Sequence, residues 1–284
     1  MLWFYMLGTA VLAAFCWAFG HFEVSFLKEI LSVRLWFVLC YALAMLLWWK
    51  LKTSAKNKIA LNFLLAYAFL GLIYKDTAVL NQLFFDKIDP FLMQADVLMW
   101  GFQPALKFSE VMNATWFSEL MFFSYFFYYL MPLVVLFTLY QRAPQVIAEF
   151  GTMLITAFVI YYSIFIVLPA VGPQFYFPDP ENTIPQRGLF SFLVKQIQAM
   201  GEAPTAAFPS SHVGVSVVVL LWLYPRYKRL FYGILPLSIL LFFSTVYIKA
   251  HYAIDVLAGL VSGACIYVFI ALFYNHFKNK NYEI

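Results

Sequence analysis

Apolar residues run along the chain in long unbroken blocks separated by short polar connections. A helix needs roughly 20 consecutive apolar residues to cross a bilayer. Blocks of about that size are Leu2–Phe19, Leu35–Trp49, Ile59–Tyr74, Trp116–Leu139, Ile147–Leu168, Val213–Tyr224, Leu230–Ile248 and Ala253–Tyr274. A transmembrane barrel would alternate apolar and polar positions, which continuous runs exclude. The pattern therefore predicts an all-α polytopic membrane bundle of about eight transmembrane helices. Val213–Tyr224 is short for a span. It either begins below the membrane surface or borrows residues from Pro209–His212, which sinks the histidine into the protein.

Two stretches break the pattern. Asp76–Thr115 is too polar to span, yet Leu80, Leu83, Phe84, Ile88, Phe91, Leu92, Ala95 and Met99 recur at helical spacing, with Asp86, Lys87, Asp89 and Asp96 elsewhere. The expectation is amphipathic helices on the outer surface, broken at Pro90 and Gly101–Pro104. A loop packed on the bundle is the alternative. Residues 171–211 form a long outer loop rich in Pro and Gly, with Arg187 and Lys195 among its few charges and a helix-compatible portion at Leu189–Met200. Long loops in compact domains are often lids or binding loops.

Composition agrees with a lipid environment: 64% of residues are hydrophobic and 11% charged, against about 25% charged in soluble domains. The net charge of +4 comes from short basic clusters between spans. That suits orientation signals better than a nucleic-acid surface, which would gather them on one face, so no nucleic-acid partner is expected. One set of connections holds Lys50, Lys52, Lys56, Lys58, Arg142, Arg226, Lys228, Arg229, Lys278 and Lys280 against Glu149 and Glu283. The opposite set has eight basic and twelve acidic residues. Basic connections face the cytoplasm. Both termini are thus expected there, with Pro169–His212 and Lys249–Asp255 together on the extracytoplasmic (periplasmic or luminal) face, of the inner membrane if the cell is bacterial.

Several features read as structural. Cys16, Cys40 and Cys265 fall inside apolar runs and suit small buried hydrophobes better than a disulfide framework or metal site. The first twenty residues lack a basic start and a clear cleavage site, so they read as a membrane helix rather than a signal peptide. His21 and His276 lie at helix ends facing interfacial water. Asn113–Ala114–Thr115 matches a glycosylation sequon, a short pattern that arises by chance. The aromatic clusters Phe122–Tyr129 and Tyr161–Phe165 suit bundle packing.

Candidate chemistry gathers at two places. His251 and Asp255 lie four apart at the start of an apolar run and share a helix face. A carboxylate there can hold one imidazole nitrogen and leave the other free to attack or carry a proton. An acid at membrane depth is functional by default; an interfacial histidine with an acid at the membrane edge is the plain alternative. Pro209–Ser210–Ser211–His212 immediately precedes another apolar helix. Ser210 or Ser211 suits its N-cap, and the exposed N–H groups there favour an anion; ordinary capping with a snorkelling histidine is the alternative. An antiparallel hairpin would return His251 to the level of His212.

These motifs resemble those of the type 2 phosphatidic acid phosphatase superfamily, whose membrane members work on lipid phosphates without a metal. The second family motif, Pro-Ser-Gly-His, has its counterpart in Pro209–Ser210–Ser211–His212. The third has its counterpart in Ser244–Thr245, five residues, His251, three residues and Asp255. The resemblance covers Ile147–Tyr274 well and the N-terminal half loosely. It implies a six-helix core within residues 59–284, two extra helices in residues 1–58, His251 as the nucleophile forming a phosphohistidine, Asp255 orienting it and His212 protonating the leaving oxygen. It further implies that Ser210 and the Ser211 amide hold phosphate oxygens. The family's arginine after Ser244 is Thr245 here, and its first motif is replaced by Leu168–Tyr176. Both variants look like the inositol phosphorylceramide synthase branch, which acts on sphingolipids.

Phosphoryl transfer needs positive charge on the equatorial oxygens, so cations must replace the missing ones. Lys249, four residues after Thr245, would share its helix face with the missing arginine; a snorkelling lysine is the alternative. Arg187, with its planar fork, and Lys195 could fold over from the loop, and Gln174 occupies a position where a cation is expected. The expected function is a metal-independent, cofactor-free enzyme cleaving or transferring the phosphoryl group of a lipid phosphate or phospholipid, a hydrolase before a transferase. The alternatives are a head-group transferase like the synthase branch and a non-catalytic lipid transporter or scaffold on the same fold.

Overall fold

The structure, a computed structural model, describes residues 24–50, 52–81, 85–178, 184, 188–201 and 204–280. The expected first span Leu2–Phe19 lies outside them, as do Cys16, His21, Arg187 and the side chain of His276.

Among the described residues the chain forms eleven α-helices, one 3-10 turn at Pro144–Val146 and no strand. They are α1 (Val24–Lys50), α2 (Ala55–Leu80), α3 (Asp89–Trp100), α4 (Pro104–Val111), α5 (Thr115–Arg142), α6 (Ile147–Val167), α7 (Pro173–Tyr176), α8 (Leu189–Gly201), α9 (Ser211–Leu223), α10 (Lys228–Tyr247) and α11 (Ala253–Lys280). Thr115–Arg142, Pro144–Val167, Lys228–Tyr247 and Ala253–Tyr274 are each long and apolar enough to cross a bilayer. Leu35–Trp48 and Ser211–Leu223 are shorter apolar stretches, and α2 reaches 26 residues across the expected span Ile59–Tyr74. The molecule is an all-α membrane bundle.

Its centre is built by α2, α5, α6, α9, α10 and α11, which bury Tyr125, Phe150, Tyr161, Trp222, Leu241 and Tyr247. Trp36, Phe137, Phe243, Val261 and Leu272 instead stand exposed on the outside of the bundle. Lipid covers such a surface, and water would not. Cys265 belongs to that exposed surface and Cys40 is half-buried, so the expectation of buried cysteines fails for Cys265.

The closest partnership is between α9 and α11. A Cβ at Gly259 would lie 2.7 Å from the Ser210 carbonyl oxygen, and one at Gly263 would lie 2.5 Å from that of Gly214. Small residues let membrane helices approach in this way, and here they seat α11 against the start of α9. The short α9 begins at Ser211, with the Ser210 Oγ accepting from the Val213 N–H at 3.4 Å. It has thus taken residues from the loop, and His212 sits in its first turn.

The polar stretch differs from expectation in two ways. Pro90 lies in the first turn of α3, as its second residue, instead of breaking it, while Gly101 ends it at φ 77°. The helix also buries its acids beside Leu92 instead of sorting its faces by polarity. Asp89 and Asp96 are fully buried, whereas Phe91 and Leu98 are 70% and 80% exposed. A helix bordering lipid can leave apolar residues such as Phe91 and Leu98 on its outer side, provided the inward carboxylates find donors. The loop segment Leu189–Met200 is helical as expected, and Glu119 of α5 holds the N-terminus of this α8, accepting from Phe190 N–H (2.8 Å) and Ser191 N–H (3.1 Å).

Candidate active site

Because α9 starts and α10 ends at the same end of the bundle, His212 and His251 meet there. His212 Nδ1 lies 3.1 Å from His251 Nε2. His251 Nδ1 lies 2.6 Å from the Ala207 carbonyl oxygen. A carbonyl only accepts, so Nδ1 carries the proton and Nε2 presents a lone pair. His212 Nδ1–H then donates to that lone pair. The geometry thus sets up a base at His251 Nε2 and a proton beside it.

Asp255 is fully buried in the first turn of α11. Its Oδ2 accepts from the Tyr252 N–H at 2.8 Å and lies 3.5 Å from His251 Nδ1. The Ala207 carbonyl, not this carboxylate, makes the short bond to the imidazole. Asp255 also takes part through its backbone, since its carbonyl oxygen accepts from the Ser210 N–H at 3.1 Å. That bond ties the two motifs directly. Tyr252 is buried beside them, and its hydroxyl donates to Asp89 Oδ1 at 3.2 Å. Burial first, then the Asp89 carboxylate, pushes this phenol well above its ordinary range, so it stays a donor.

Ser210 is fully buried with its Oγ engaged as the α9 cap, and Ser211 is buried with its side chain bonded to Tyr128. The Tyr128 and Tyr125 rings pack on the His212 ring with centroids 4.3 and 4.6 Å away. These tyrosines are neighbours of the histidine pair that the sequence read as bundle packing alone.

Lys249 is 1% exposed and lies two residues before His251. It does not extend the helix of Thr245: α10 ends at Tyr247, and Lys249 turns left-handed at φ 64°. The shared helix face with the missing arginine is therefore corrected. Proximity to His251 comes from the turn, in which the His251 N–H bonds the Thr245 carbonyl oxygen at 3.1 Å. The segment replacing the first motif packs on this turn. Gln174 N–H donates to the Lys249 carbonyl oxygen (2.8 Å), and a Cβ at Gly172, whose φ is 84°, would lie 2.7 Å from the Ala250 carbonyl oxygen. Gln174 Oε1 also accepts from Gln198 Nε2 of α8 at 3.3 Å. Lys195 is half-buried one turn before Gln198 on that helix. Gln174, Lys249 and α8 thus adjoin one another, while Arg187 lies outside the described residues. Among the described residues, no three His, Cys, Asp or Glu side chains converge as metal ligands would.

The sequence model of the PAP2 superfamily matches residues 92–269, more than half of the chain. The chain belongs to the PAP2 superfamily. The matched segment contains α5 through most of α11, and with them both histidines and Asp255. A PA-phosphatase related-family protein of Dictyostelium discoideum is similar, 31% identical over 113 residues that make up 37% of this chain and 20% of that protein. The chain thus matches about a fifth of the length of that curated relative. No solved structure matches the chain.

Proposed function

We propose that the chain is a membrane phosphatase or phosphotransferase that acts on a phosphate-ester lipid through a phosphohistidine on His251, at the extracytoplasmic face. The observation that carries the reading is the unprotonated Nε2 of His251, its tautomer fixed by the Ala207 carbonyl at 2.6 Å from Nδ1, facing His212 Nδ1 at 3.1 Å. A phosphoryl group does not fit between nitrogens so close, so substrate entry parts the two rings. His251 Nε2 then attacks phosphorus, forming the N–P bond as the P–O bond to the lipid breaks. His212, protonated on both ring nitrogens when the substrate is bound, passes a proton to the departing alkoxide and becomes neutral. In the second half-reaction water attacks phosphorus, gives its proton to His212 and releases phosphate from His251. An alcohol in place of water makes the same chemistry a transfer.

Asp255, 3.5 Å from Nδ1, stabilises the positive charge that His251 gains on phosphorylation. Lys249 and Lys195, with Gln174 as a neutral donor and Arg187 from the same loop, are the groups proposed for the equatorial oxygens, and Ser210 and Ser211 shape the anion site at the α9 N-terminus. Membership in the PAP2 superfamily and the membrane bundle support a lipid phosphate as substrate.

The test is trapping. Purified chain incubated with a lipid phosphate labelled at phosphorus, then quenched in base, should carry acid-labile label that His251→Ala loses. His212→Ala should slow lipid-alkoxide release far more than release of a leaving group that needs no proton, such as nitrophenolate. Turnover without any label on His251, or full turnover in His251→Ala, would sink the reading.

A further inference from the structure

We propose that Asp89 and Asp96, on the inward face of α3, are positioning residues that hold the two loops of the candidate site at a fixed spacing. This inference rests on the function proposed above and adds to it a residue pair outside the family motifs.

Each carboxylate takes backbone donors from a different loop. Asp89 accepts from the Val171 N–H (2.9 Å to Oδ2), the Gly172 N–H (2.9 Å to Oδ1) and the Tyr252 hydroxyl (3.2 Å). It therefore joins the segment that replaces the first family motif to the residue next to His251. Asp96 accepts from the Ala253 N–H (2.9 Å to Oδ2) and the Ile254 N–H (2.8 Å to Oδ1). Those are the first two N–H groups of α11, which lack partners within their own helix. An N-cap is normally the residue just before the helix. Here that residue is Tyr252, whose hydroxyl is committed to Asp89, so the cap arrives from another helix.

The arrangement has the character of a ruler. Asp89 and Asp96 lie seven residues apart on one helix, about 10.5 Å along its axis at 1.5 Å per residue. The Ile88 N–H adds a bond to the Pro169 carbonyl oxygen at 2.9 Å, pinning the start of α3 to the same loop. One rigid helix thereby sets how far the Gly172–Gln174 turn sits from the start of α11, and so from His251 and Asp255. Both carboxylates are fully buried. Burying a carboxylate is costly unless its oxygens are satisfied, and backbone N–H groups satisfy these.

The test compares Asp89→Asn and Asp96→Asn in the detergent-purified full chain with the wild type. Each amide keeps the size of the side chain and turns one acceptor into a donor facing a backbone N–H. The expected result is a fall in kcat, towards the ~100-fold that a misplacement of about 1 Å can cost. KM should stay within about twofold and the melting midpoint within a few degrees. Backbone hydrogen exchange should speed up in residues 168–176 for Asp89→Asn and in residues 250–256 for Asp96→Asn. If either variant fails to fold, Asp89→Ser or Asp96→Ser, which keeps one short acceptor, replaces it. Wild-type kcat in folded variants, or exchange unchanged in both segments, would overturn the proposal. A wild-type chain that turns over no phosphate ester would instead count against the proposed function, and the exchange measurement would still decide whether α3 grips the loops.

Discussion

At the scale of single residues, the site combines positions that a motif reveals with positions that only packing reveals. His212, His251 and Asp255 were legible because their spacing is tied to a chemistry, and the structure brings all three together. Tyr125 and Tyr128 were not, because an aromatic residue on a membrane helix has the same signature whether it packs on leucine or on an imidazole. Lys249 was misplaced for a third reason: helical spacing was extended past Tyr247, where the helix has already ended. Its left-handed backbone gives a prediction independent of catalysis. A non-glycine residue there costs roughly 1 kcal/mol or more. Lys249→Gly and Lys249→Ala both remove the ammonium; glycine relieves that strain, and its greater unfolded-state freedom offsets part of the gain. Both are expected to lose most turnover of a lipid phosphate, while the glycine variant melts at the higher temperature. A melting midpoint for Lys249→Ala equal to or above that of Lys249→Gly would show that the strain does not outweigh that offset, and wild-type turnover in both would remove Lys249 from the phosphate site.

At the scale of elements, the recurring device is a carboxylate from one helix closing the N-terminus of another. Asp96 does this for α11 and Glu119 does it for α8. Sequence reading misses such caps because the acid lies far along the chain from the helix it serves: 71 residues separate Glu119 from Phe190. The same device explains why the acids of α3 face inward, beside the buried Leu92. In water its acids would turn outward; beside lipid they turn inward to orphan N–H groups, and Phe91 and Leu98 take the outer side. For α8 the consequence is measurable. Losing a cap costs about 1 kcal/mol, equivalent to roughly fivefold more frequent local opening. Glu119→Gln should therefore raise hydrogen exchange in residues 188–192 by about that factor. Since α8 also brings Gln198 to Gln174, the variant should raise KM for a lipid phosphate. Unaltered exchange would mean that the Glu119 bonds do not set the stability of α8.

At the scale of the whole molecule, the hydrophobic blocks predicted the bundle well, because lipid demands long apolar helices and leaves little else to read. The described blocks lie within helices of the structure to within one residue at their ends, and the charge clusters lie between them. One end carries the histidine pair. The other end of α9 carries Trp222, whose Nε1–H donates to Glu149 Oε1 at 3.0 Å, and the nearby Arg226, which pairs with Glu149 at 3.0 Å. A sealed membrane makes the orientation testable. In a chain whose Cys16, Cys40 and Cys265 are replaced by alanine, Gln141→Cys places an exposed thiol at the basic end and Gln196→Cys places one on α8. The excess of Lys and Arg at the Arg142 end predicts a cytoplasmic position for that end. A membrane-impermeant maleimide added outside intact cells should then label Gln196→Cys at once and label Gln141→Cys only after the membrane is opened. The reverse order would put the histidine pair in the cytoplasm and require its phosphate ester to be drawn from the inner leaflet. Equal labelling of both before opening would mean that these two ends do not lie across a membrane from each other, and would count against the span assignment itself.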